Sequence, residues 1–75
     1  MTNTETAAVL AVIKTAYPRY YESKTKRELQ ETISLWQTML AEYAPSVVNA
    51  AVKSIIATSK FPPSIAEVIE MINTI

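Results

Sequence analysis

Cysteine, histidine, glycine and aspartate are all missing from this 75-residue chain. Without cysteine there is no disulfide framework. Without cysteine and histidine there is no zinc site of the usual ligands. The lack of glycine removes every glycine-rich phosphate loop. Catalytic triads, Cys–His pairs and Asp–Asp dyads cannot be assembled, so composition argues against an enzyme and implies no cofactor. Net charge is missing too: seven Lys and Arg balance seven acids, all of them Glu. A neutral domain carries no strong field toward nucleic acid or a membrane surface. Long apolar runs are also lacking. The longest, Ala7 to Ile13, is too short to span a bilayer. Glu5 precedes it and no basic stretch does, so it does not read as a signal peptide. The absence of cysteine fits a reducing cytoplasm.

What is present is a hydrophobic content of 49%, enough for a core and too much for disorder. The length allows one domain. Three capping boxes divide the chain: Thr2–Glu5, Thr25–Glu28 and Ser64–Glu67. In each, a Ser or Thr N-cap and a Glu three residues on satisfy two orphan backbone donors reciprocally. Pro18 ends a first helix near Ala16 or Tyr17, Pro45 suits the first turn of another, and Pro62–Pro63 break what precedes them.

Four helices are predicted. The first runs from about Asn3 to Tyr17, with Val9, Val12, Ile13 and Ala16 on its inner face. The second runs from about Lys26 to Tyr43. Its stripe Leu29, Ile33, Trp36, Leu40, Tyr43 has the spacing of one helix face. The third runs from about Pro45 to Ser59 and reads as the most buried, its polar residues confined to a line through Ser46, Asn49, Lys53 and Lys60. The fourth runs from about Ile65 to the terminus, with Ile65, Val68, Ile69 and Ile72 inward. Val47–Val48 and Ile55–Ile56 favour strands on propensity alone. Prolines, caps and the lack of hairpin turns outweigh them. The expected fold is all-α, a small four-helix domain with short antiparallel connections. The fourth helix has a strong start and no stop signal, which reads as a fragment cut within or just after a helix; a natural, frayed terminus is the alternative.

The carboxylate pairs Glu28/Glu31 and Glu67/Glu70 read as solvated first-turn acids rather than an acid/base couple. The segment Arg19, Tyr20, Tyr21, Lys24, Lys26, Arg27 mixes cations with aromatics, as nucleic-acid surfaces do. Glu22 and Glu28 dilute it, and a solvated connection whose tyrosines cover the core edge is the plainer reading. Trp36, Tyr17, Tyr43 and Phe61 read either as core or as interface anchors. Phe61 could pack back on the third or fourth helix. The Ala-rich faces of the first and third helices either lie exposed or meet a second copy or another partner.

A resemblance carries the reading further. The elements are Leu35-Trp36, Leu40, Tyr43, Val48 and Ala51-Val52-Lys53, then Ile56-Ala57-Thr58-Ser59-Lys60-Phe61-Pro62-Pro63-Ser64-Ile65-Ala66-Glu67-Val68, with Tyr17-Pro18-Arg19-Tyr20-Tyr21 upstream. From about Leu10 to Ile72 the chain resembles the phage replicative-helicase loader/inhibitor proteins of Gram-positive bacteria and their prophages. The resemblance implies a non-catalytic adaptor that binds a hexameric DnaB-type replicative helicase, holds it inactive and helps deliver it to the phage origin with an initiator protein. It also implies a longer protein, with a polar, flexible C-terminal part that contributes to helicase binding. A helical DNA-binding module, reading an origin or operator, is the alternative; the second helix would offer Arg27, Gln30, Ser34 and Gln37 with acids intermixed. For a secondary protein contact the candidates are Arg19, Tyr20, Tyr21, Lys24 and Arg27, which combine aromatic rings, charge and a connecting position.

Overall fold

The computed structural model describes residues 1–20 and 25–74. Helix α1 spans Asn3–Ala16, α2 Lys26–Met39, α3 Pro45–Thr58 and α4 Ile65–Thr74, with a short 3₁₀ turn at Pro18–Tyr20. No strand occurs among the described residues. The fold is all-α, as the sequence predicts.

Local chemistry sets the boundaries. At the start of α1, the Thr2 hydroxyl accepts the Glu5 N–H at 3.1 Å and the Glu5 carboxylate accepts the Thr2 N–H at 2.8 Å. The same reciprocal pair opens α4, with Ser64 N–H donating to Glu67 Oε1 at 3.0 Å and Glu67 N–H to Ser64 Oγ at 3.2 Å. At α2 the arrangement differs from a full box. Thr25 accepts the Glu28 N–H, but Glu28 Oε1 takes the Thr25 hydroxyl. Helix α3 has no side-chain cap and starts on Pro45, whose missing N–H costs nothing in a first turn.

Helix α2 ends at Met39, four residues short of the expected Tyr43. Pro45 holds Ala44 in the extended region, at φ −69° and ψ 142°, so the turn must unwind before it. Tyr43 N–H reaches Leu40 O at 3.1 Å, and the Met1 ammonium donates to Ala41 O at 3.5 Å. The stripe of α2 survives this shortening. Trp36 and Leu40 are buried, and Ile33 and Tyr43 pack against the core.

Helix α1 packs on both α2 and α3, and α3 packs on α4. The Met1 contact sets the start of α1 beside the end of α2, so these two helices run in opposite senses. Tyr17 Oη donates to Ser59 O at 2.7 Å, joining the ends of α1 and α3, which therefore lie side by side in the same sense. The core comprises Val9, Leu10, Ile13 and Tyr17 with Trp36, Leu40, Val48, Val52, Ile55, Val68 and Ile72. Thr6 is buried among them and donates its hydroxyl to Thr2 O at 2.9 Å. The inner face of α1 is thus rotated from the expected one. Val12 and Ala16 are exposed, and Thr6 and Leu10 take their place, because α1 serves two neighbouring helices on adjacent faces.

Helix α3 buries Val48, Ala51, Val52 and Ile55 and leaves Val47, Ala50, Ser54 and Ala57 outward. Helix α1 likewise buries four residues, Thr6, Val9, Leu10 and Ile13, so α3 equals it in number of buried residues rather than standing out as the most buried helix. Phe61 is 64% exposed and lies outside the core, while Pro63, Val68 and Ile72 are buried. The Ser59 hydroxyl donates to Phe61 O and accepts Phe61 N–H, which folds the linker locally.

Candidate functional site

Of the proposed contact residues, only Arg19 and Arg27 have side chains among the described residues. Arg19 is exposed in the 3₁₀ turn. Tyr20 contributes its backbone to that turn, and its side chain lies outside what is described, as do Tyr21 and Lys24 entirely. Arg27 projects from the first turn of α2 and pairs with Glu31 at 3.3 Å, with side chains 89% and 67% exposed. Such an i, i+4 surface pair contributes only a few tenths of a kcal/mol. It does satisfy Arg27 within its own helix.

Three of the four carboxylates singled out by spacing have structural employment. Glu67 caps α4, Glu28 bonds Thr25, and Glu31 pairs with Arg27. Among the described residues no cluster of acids able to hold a metal ion forms.

An apolar groove lies between α2 and α4. Leu35 and Met39 form one wall, and Ile65 and Ile69 the other, with Glu70 and Asn73 along the α4 side. These walls exist because each helix has more apolar residues than its buried stripe uses. Leu35 and Met39 directly precede Trp36 and Leu40, so they sit about 100° around α2 from the core stripe. Sequence reasoning did not single them out as a site. The signal was available as a second apolar pair, four residues apart, beside the main stripe. A shallower surface of small side chains lies between α1 and α3, lined by Ala11, Val12, Ala16, Lys53, Ile56 and Ala57.

None of these surfaces combines a nucleophile, a base and an oxyanion donor. Their chemistry is that of contact: apolar area, a rim of hydroxyl and amide groups, and isolated charges. Among the described residues no helix is long and apolar enough to cross a membrane. In comparisons with known proteins, the family model for the N-terminal domain of a phage helicase loader/inhibitor protein matches residues 1–69. No curated protein and no solved structure matches the chain.

Proposed function

The chain belongs to the family formed by the N-terminal domain of a phage helicase loader/inhibitor, and from that membership we propose that it is a non-catalytic adaptor in phage DNA replication. It binds a hexameric DnaB-type helicase in the cytoplasm of the bacterial host, restrains it, and helps deliver it to the origin with an initiator protein. The observation that carries this reading is the family match over residues 1–69, nearly the whole chain. The surfaces agree with it: grooves and faces suited to protein contact, and carboxylates occupied in caps and a surface pair.

In this reading the folded domain fixes geometry or recruits a second partner. Most helicase affinity belongs to the polar C-terminal part that the resemblance implies for family members. A flexible segment that orders on binding covers a large surface at an entropic cost offset by contact area. Arg19, Tyr20, Tyr21, Lys24 and Arg27 supply the secondary contact.

Calorimetry of a cognate DnaB-type helicase against this chain and against a longer natural form tests the division of labour. An unwinding assay run alongside tests restraint. The longer form should bind more tightly and slow unwinding. If the two forms bind equally, the folded domain carries the interaction, and Arg19→Glu with Lys24→Glu should weaken it. If neither form binds or slows the helicase, the adaptor reading fails.

A further inference from the structure

We propose that the groove between α2 and α4 receives a short, basic, amphipathic helix from a partner protein. Each of its two walls carries an apolar pair one helical turn apart, Leu35 and Met39 on α2 and Ile65 and Ile69 on α4. Leu35 is 56% exposed and Met39 48%, although Trp36 and Leu40 beside them are buried. Two apolar ridges flanking an open floor accept the i, i+3, i+4 anchors of an amphipathic helix. Met39 adds an unbranched, adaptable side chain, of the kind used where different anchors must fit.

Size selects the occupant. From Ile65 to Asn73 the α4 wall runs about 12 Å at 1.5 Å per residue, the length of two helical turns. An occupant helix of roughly 10 Å diameter laid along that wall covers on the order of 100 Å². A stable dimer buries roughly 800 Å² per partner. The groove therefore fits a segment and falls far short of what a second copy of the chain needs.

Charge selects its sign. Glu70 is the one charged side chain lining the groove. Among the described residues no cation pairs with it. The neighbouring acids are engaged, Glu31 by Arg27 and Glu67 by the Ser64 N–H. A carboxylate at an apolar rim favours Lys or Arg on the occupant and repels an acidic segment. This inference rests on the groove and does not depend on the partner being a helicase.

The probe is a labelled synthetic helix of about four turns, with Leu at the anchor positions and Lys elsewhere, compared with the same peptide bearing Glu for Lys. Affinity is read by fluorescence anisotropy and location by amide chemical-shift mapping. With the Lys peptide, shifts should cluster at Leu35, Met39, Ile65, Ile69, Glu70 and Asn73. The Glu peptide should bind about tenfold more weakly, the effect of one close charge pair. Glu70→Lys should invert that preference. Met39→Gln, at an exposed position where the fold is retained, should weaken the Lys peptide about fivefold. Shifts centred on Ala11, Val12 and Ala57, equal affinity for both peptides, or indifference to Glu70→Lys would each overturn the proposal. So would absence of binding, or self-association that protects the groove.

Discussion

Trp36 is the single tryptophan of the chain and belongs to its hydrophobic core. It is 7% exposed and sits at the centre of the α2 stripe. Trp36→Ala should cost about 3–5 kcal/mol, the range for a large aromatic removed from a core. Urea denaturation checks it; a loss under about 1 kcal/mol would mark Trp36 as a surface residue instead. Tyr17 acts differently. Its ring is buried, and its hydroxyl donates to Ser59 O across two helix ends. Tyr17→Phe keeps the ring and removes one hydrogen bond, so we expect a loss of about 0.5–1.5 kcal/mol by the same measurement. An unchanged midpoint would show that water replaces the bond without cost. Both aromatics were visible in the sequence as core or interface candidates, but burial alone distinguishes the two. Phe61 had the same credentials and lies exposed, outside the core.

Elements were legible where local chemistry decides them. The starts of α1, α2 and α4 follow from Thr2, Thr25 and Ser64, and the start of α3 from Pro45. Ser64→Ala removes the acceptor for the Glu67 N–H and should destabilise by about 1 kcal/mol. Because α4 packs on α3, the loss should appear in global unfolding; amide exchange confined to the first turn of α4 would show local fraying instead. The early end of α2 was signalled by Pro45, which holds Ala44 extended, although the apolar stripe continues to Tyr43. The inner face of α1 was not legible, because it depends on α1 packing on two helices. The α2–α4 groove was hidden for the same reason. Leu35 and Met39 announce a spare apolar edge, but only the packing sets it opposite Ile65 and Ile69.

The whole molecule is a flat body of 33 × 26 × 17 Å. With four short helices in so small a body, none is enclosed by the others on every side. Every helix therefore keeps an outward face, and the surfaces available for partners are unavoidable products of size. With formal net charge zero, the domain should show no useful affinity for duplex DNA at physiological salt. Anisotropy against a labelled duplex across a salt series checks this. Micromolar binding with a steep salt slope would favour the DNA-binding alternative. The missing glycine has a consequence at this scale as well. No described residue adopts positive φ, so no described helix end closes with a left-handed cap. Carbonyls near two helix ends find donors far along the chain instead, Ser59 O from Tyr17 and Ala41 O from the Met1 ammonium. Helices of 14 and 10 residues are marginal alone in water. Here two of the C-terminal ends gain a bond from a distant part of the chain. Synthetic α3 should accordingly be largely unstructured, while the intact domain unfolds in a single step with coincident fluorescence and circular dichroism transitions.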